Sequence, residues 1–374
     1  MIPTVKLPMT LLAVAMLMAG CGGQANHAAT SPSSKASGSP TTSPVAAGSP
    51  SPPASPVTLT GAFAVLATPT SADTYTVTIV RADGKIVGSA AASSPTAVTC
   101  GGAAGAVVPL PVSTSDDRAY YMDAQGVVRF LTVQGETGRA TTVPTGGGRR
   151  STFAVSPDDQ RIAVIVDDFT SSGVALKLYV EDLNGGTNHV DIFNSNGTTG
   201  LWPIGWHGGS LVVAKIRACS QGGGPFCCGP IELHVVDPTT AARRFTLGGT
   251  SCLIAGDPSP AGVACEDSAT FTKVSVVDWT GNTLRGFSVA GPTPAYLSPD
   301  GRLVALYSFE GSGVTKFEGT TLTLNMQTCG WIDSTHVIAG DSGQAQARIG
   351  DVTTGKVVPV AARGTCAGRL PGGL

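Results

Sequence analysis

Two patterns of apolar and polar positions alternate along the chain from about residue 57 onward. The first is a hairpin: AYLSPDGRLVALY at 295–307 runs from alternating apolar residues into Ser-Pro-Asp-Gly and straight into a second apolar run. Proline presets φ for a corner position, aspartate bonds its own backbone and glycine accepts positive φ, so the tetrapeptide reverses the chain. FAVSPDDQRIAVI at 153–165 is a second copy. Weaker ones stand at 112–123 (VSTSDDRAYYMD), 204–215 (IGWHGGSLVVAK), 254–265 (IAGDPSPAGVAC) and 330–340 (GWIDSTHVIAG). The second pattern is an apolar strand ending in an acidic or glycine turn: TIVRADGK at 78–85, LYVEDLNGG at 178–186, LHVVDPTT at 233–240, VSVVDWTGN at 274–282 and RIGDVTTGK at 348–356. FLTVQGETG at 130–138 is a looser member.

One hairpin of each kind per repeat means four short antiparallel strands, the content of one β-propeller blade. About 315 residues at ~45 per blade give seven blades. The count leaves six open, because between Ser298 and Trp331 only TLTLN reads as a strand, and residues 61–87 supply about three strands for their blade. The first and last strands are expected to share a blade and close the ring, since an open propeller leaves unpaired edges.

Composition agrees with an all-β chain. Glycine (49) and proline (26) are abundant and charged residues make up only 13%, a mixture suited to short strands and turns rather than long helices. The net charge of −2 provides no basic field for nucleic acid, and neither nucleic acid nor a cofactor is expected.

The N-terminus sets an expected compartment. One lysine in residues 1–6, an apolar run over 7–18 and then Met18-Ala19-Gly20-Cys21 have the layout of a signal peptide, and about twelve apolar residues are too few to span a membrane permanently. Small residues before a cysteine resemble the lipobox of bacterial lipoproteins, with Met18 where that family usually has leucine. The resemblance implies cleavage after residue 20, lipid on Cys21 and anchoring outside the cytoplasm on the outer face of a bacterial membrane. Residues 21–56, rich in Ser, Pro and Thr, cannot bury enough surface to fold and read as a disordered tether. The propeller domain is assigned to 57–374.

The SPDG and SPDD hairpins, each followed by an apolar strand and an acidic turn, resemble the TolB-like, WD40-like (PD40) propellers of bacterial envelope proteins. The resemblance covers residues 57–360 as architecture. It implies no catalytic residues, because that family has no fixed ones in these motifs.

Setting Cys21 aside leaves eight of nine cysteines, and an oxidising compartment makes them disulfide candidates. Cys252 and Cys265 lie symmetrically about Asp257-Pro258-Ser259-Pro260 and are expected to bond across paired strands. Cys219 faces Cys227 and Cys228 across a Gly-rich loop and is expected to bond one of them. Cys329 with Cys366 would leave Cys100 for the spare vicinal cysteine, although a Cys227–Cys228 ring with Cys100 paired elsewhere stays open. A thiolate metal site at Cys219, Cys227 and Cys228 with His207 or His234 lacks CxxC spacing, so no metal is assigned.

No nucleophile elbow, HExxH or phosphate-binding loop is present. His207 and His336 fall at comparable hairpin positions near Trp206 and Trp331, and read with His27, His189 and His234 as surface residues of a degenerate repeat. Asp116-Asp117 and Asp158-Asp159 read as turn formers. Asp167-Asp168 is placed past a strand, before a polar loop, with too few neighbouring oxygens for calcium. Trp202, Trp206, Trp279 and Trp331 read as buried. Residues 220–228 and 309–328 break the repeat and are where a function would be sought. The expected function is a non-catalytic binding or scaffold module for an envelope protein or glycan. The alternative is a lactonase-like or lyase-like enzyme whose residues meet at the central channel. Thiol titration of the denatured, unreduced mature protein checks the staple reading: free thiols are expected to be near zero, and about four or more would overturn it.

Overall fold

The computed structural model describes residues 58–96, 98, 111–170, 173–217, 232–307, 313–340 and 346–374. All belong to one unit, Ser49–Leu374. The expected signal peptide, Cys21 and tether lie outside the described residues, as do Cys100, Cys219, Cys227, Cys228 and His27.

The two hairpin patterns fold as antiparallel sheets, with no helix among the described residues. β1 (Phe63–Pro69), β2 (Thr74–Arg81) and β3 (Ile86–Ser93) come first, followed by the second blade, β4 (Val112–Thr114), β5 (Arg118–Met122), β6 (Val127–Thr132) and β7 (Thr137–Thr142). The third blade holds β8 (Arg149–Val155), β9 (Arg161–Thr170), β10 (Gly173–Asp182) and β11 (Val190–Gly197). The fourth holds β12 (Thr199–His207), β13 (Ser210–Arg217), β14 (Glu232–Val236) and β15 (Arg243–Leu247). The fifth holds β16 (Leu253–Ile254), β17 (Val263–Glu266), β18 (Lys273–Val277) and β19 (Thr283–Ser288). β20 (Ala295–Leu297), β21 (Val304–Tyr307), β22 (Thr315–Phe317) and β23 (Thr323–Leu324) form the sixth. β24 (Gly330–Trp331), β25 (His336–Ala339), β26 (Arg348–Asp351) and β27 (Val357–Pro359) form the seventh. β28 (Thr365–Leu370) then returns to pair with β1, Phe63 opposite Leu370, so the first sheet reads β28-β1-β2-β3. The fold is a seven-bladed β-propeller.

The first strands of successive blades pack on one another, β28 on β4, β4 on β8 and β8 on β12, and therefore line the axis. Turns from first to second strand lie at one rim. Turns from second to third strand lie at the other. Seven apolar clusters each span two adjacent blades: Val65, Leu370 and Tyr121 join blades one and two, and Leu66, Ile338 and Ile349 join blades seven and one. Burial between blades, not within them, holds the ring together.

Turn chemistry repeats around the first rim. Ser156 Oγ donates to Asp158 Oδ1 at 2.6 Å and accepts from Arg161 N at 2.9 Å. Ser298 repeats both bonds with Asp300 at 2.7 Å and Leu303 N at 3.0 Å. Where the second turn uses Gly301 at φ 74°, the first forces Asp159 to φ 59°, a left-handed conformation that aspartate tolerates better than most residues. The outer acidic turns work similarly, Asp278 Oδ1 accepting from both Thr280 N and Asn282 N at 2.9 Å.

Three expectations need correction. The sixth blade is complete: β23 lies within TLTLN, and the strand that the sequence does not show is β22, whose three residues are too few for periodicity to show. The fifth-blade turn runs from Ser259 to Gly262, with Ser259 N donating to Gly262 O at 2.9 Å, so the register pairs Cys265 with Ile254 and not with Cys252. Asp167-Asp168 lies inside β9, not beyond it.

The structure joins Cys252 to Cys265 within the fifth blade and Cys329 to Cys366 across the seam between blades seven and one, with Cα atoms 4.9 and 6.2 Å apart. The second bond spans a sequence separation of 37 against 13, and longer loops gain more from closure. Replacing Cys329 and Cys366 together by alanine is expected to lower unfolding free energy by about 2–4 kcal/mol, and by more than the Cys252/Cys265 double replacement. Denaturant melts showing the reverse order would show that the seam is not where the staple matters.

Candidate functional site

The histidines do not converge. His207 stacks on Trp279 at 4.4 Å, and its Nδ1 lies 2.5 Å from Leu374 O. His234 sits beside Glu232 at 3.2 Å in the fourth blade. His336 lies in the seventh, its Nδ1 3.0 Å from both Asp333 oxygens. All four tryptophans are buried. Trp206 Nε1 donates to Ala154 O of the preceding blade and Trp331 Nε1 to Tyr296 O, so these two are ties between blades. The segment 220–228 lies outside the described residues.

Asp159 and Asp117 are turn residues with a second use. Arg118, buried in the second blade, has Nη1 3.1 Å from Asp159 Oδ2 and Nε 3.6 Å from Asp117 Oδ1, and its guanidinium lies 5.0 Å from the Phe130 ring centroid. Burial raises the Asp159 carboxyl against the pull of Arg118. The cluster latches the second blade to the third, as a buried ion pair can when each charge keeps its partner.

The third blade carries a groove of about 790 Å³. It exists because β9 and β10 run for ten residues each while β5 and β6 next door have five and six. Strand alternation puts Val164, Val166 and Tyr179 on the face toward the second blade, where they join its core. The same face continues outward as Asp168, Lys177 and Glu181, with His189, Asp191, Asn194 and Asn196 from the outer edge.

The charges in the groove are arranged in pairs. Arg149 clasps Asp168 through Nε at 2.6 Å and Nη2 at 3.0 Å, a two-point contact that fixes both side chains. Lys177 Nζ lies 2.9 Å from Asp191. His189 stacks on Tyr179 at 4.6 Å and reaches Glu181 at 2.9 Å and Asp191 at 3.0 Å. The bond to Glu181, with Asp191 adding, pushes the imidazole pKa above its ordinary value, and the bond from Lys177 holds Asp191 below its own. The result is a mixed-charge wall with amide groups along its outer edge. Among the described residues no group of three or more His, Cys, Asp or Glu is placed to hold a metal ion. Sequence reading missed Lys177, Tyr179, Asp191, Asn194 and Arg149. The available signal was polar residues at alternate positions of unusually long strands.

No family model matches the chain, and no curated protein matches it. Among solved structures it is similar to the dihydro-heme d1 dehydrogenase NirN in complex with DHE, at 14% identity and TM-score 0.44 over 86% of this chain and 77% of that one. BamB from Moraxella catarrhalis is similar at 16% and 0.36 over 83% and 88%. A puromycin-hydrolyzing peptidase from Mycobacterium tuberculosis is similar at 16% and 0.44 over 79% of this chain and 53% of that one. None of these likenesses bears on function.

Asp167, on the opposite face of β9 from Asp168, is 5% exposed, and its Oδ1 has no hydrogen-bond partner. Burial, with Asp168 adding, pushes its carboxyl up to about 7 from 3.8. Between those values the folded chain holds a proton that the unfolded chain releases, so this residue's contribution to stability declines as pH rises through the window. Asp167→Asn is therefore expected to raise stability by roughly 2–4 kcal/mol at about pH 8 and to change little at about pH 3.5. Denaturant melts giving a pH-independent difference would refute the assignment.

Proposed function

We propose that the protein is a binding module displayed outside the cytoplasm, held at a membrane surface by lipid on Cys21, and that the third-blade groove is where it recognises a protein partner. The groove carries the reading. Its charges already satisfy one another, so it offers a pre-ordered pattern of both signs, and fixed complementary charge favours selecting a partner over transforming one. A mixed-charge wall suits a polypeptide carrying both signs better than a neutral glycan. The tether of 21–56 would let the propeller reach partners away from the lipid surface.

The experiment reverses the charge pattern without removing the internal pair. Envelope extract is passed over wild-type propeller and over Lys177→Glu/Asp191→Lys, which keeps an ion pair at that position with inverted direction. Wild type is expected to retain a protein partner at low salt and release it at high salt. The double variant, melting at the same temperature, is expected to lose at least about tenfold in binding. Equal retention by both would remove the groove from the reading, and retention of glycan alone would replace the partner class. Cys21→Ala is expected to move the protein from the membrane to the soluble fraction, and persistence at the membrane would refute the lipid anchor.

A further inference from the structure

The antiparallel register of β8 and β9 sets Arg149 opposite Asp168 and Arg150 opposite Asp167. The first pair closes into the bidentate contact described above. The second does not close. Arg150 points toward the first blade, where Nη1 donates to Thr96 O at 3.2 Å, and no ion pair to it is found among the described residues. Arg150 is 8% exposed, and its Nε is buried without a hydrogen-bond partner. Burying a guanidinium away from both water and a counter-charge is strongly unfavourable, and most buried arginines are paired.

A cavity of about 130 Å³ opens beside Arg150, walled by Pro69, Pro95 and Pro111 and flanked by Thr68, Ser94 and Tyr75. No acidic residue lines it. The stretch from Thr96 to Pro111 contains no acidic residue either. Tyr75 cannot serve as counter-ion: burial drives its pKa upward, and its hydroxyl already donates to Met122 O at 2.7 Å.

We propose that this cavity binds a small monocarboxylate, with the carboxylate on the Nε edge of Arg150 and its short alkyl end against the three prolines. A guanidinium whose Nη1 is committed still offers the Nε edge, which matches the spacing of two carboxylate oxygens. A single arginine balances a single negative charge, which disfavours phosphate and sulfate. The volume equals about four waters at ~30 Å³ each, enough for a carboxylate and one or two carbons but not for a sugar or nucleotide. The site lies on the face of β8 opposite Arg149 and does not depend on the proposed role of the groove.

The test uses the full chain and acetate as probe. Acetate is titrated at constant ionic strength against chloride, with binding read by line broadening of carbon-13 acetate and by melting temperature. Saturable broadening and a rise in melting temperature over chloride are expected. Arg150→Gln is expected to weaken acetate binding at least about tenfold. Should that variant fail to fold, Ser94→Leu, which fills the cavity and leaves Arg150 in place, is expected to abolish binding. Triglycine and its C-terminal amide distinguish the carboxylate's source. Tighter binding of triglycine than of acetate, lost on amidation, assigns the site to a peptide terminus, whereas binding of acetate alone assigns it to a free short-chain acid. No saturable effect of acetate over chloride, or one unchanged in both Arg150→Gln and Ser94→Leu, overturns the proposal and leaves water as the occupant.

Discussion

The pairing of β28 with β1 is the contact on which the rest of the molecule depends. No blade has a core of its own: each of the seven apolar clusters draws residues from two neighbouring sheets. A ring built this way is stable only when its last interface is made, and that interface requires the final strand to lie inside the first sheet with Leu370 opposite Phe63. Closure also removes the long unpaired edges that an open stack of sheets would expose to other chains. The Cys329–Cys366 bond crosses this same seam, so the closing interface is also held covalently.

Because each sheet must meet two neighbours, departures from regularity show at the surface. Blade three has ten-residue second and third strands, and the excess length projects past what blade two can cover. Alternation then makes one face change character along its length: Val166 and Tyr179 are buried against the neighbour, while Asp168 and Lys177 on the same face meet solvent. The groove is thus a consequence of mismatched strand lengths, and its charges pair because the register sets Arg149 opposite Asp168 and Asp191 opposite Tyr179, diagonal to Lys177.

The architecture was legible in the sequence because turn chemistry is local. Ser298, Asp300 and Gly301 act through bonds spanning at most five residues, so their type and order alone reveal the hairpin, and six such hairpins with a shared first and last blade reveal the ring. The sixth blade was the hardest to see for the complementary reason: β22 is too short to carry a period, and only its pairing with β21 and β23 defines it as a strand. Asp167-Asp168 was placed beyond a strand because paired acids usually mark a turn. They lie within β9 because its pairing with β10 continues to Thr170 and its pairing with β8 to Asp168.

The candidate sites were less legible for a related reason, and the four residues Arg149, Arg150, Asp167 and Asp168 show it. In sequence they are two like-charged doublets, with nothing to separate the members of either. Register pairs them one to one, and the pleat sends the two pairs to opposite faces. On one face the neighbouring blade falls short, water remains, and Arg149 and Asp168 close on each other at little cost. On the other, burial leaves Asp167 raised toward neutrality while Arg150 turns to a distant carbonyl. Identical chemistry therefore yields a solvated ion pair on one side and two separated buried groups on the other. The difference lies in what packs against each face, which depends on residues far away in the chain and cannot be read from the doublets themselves.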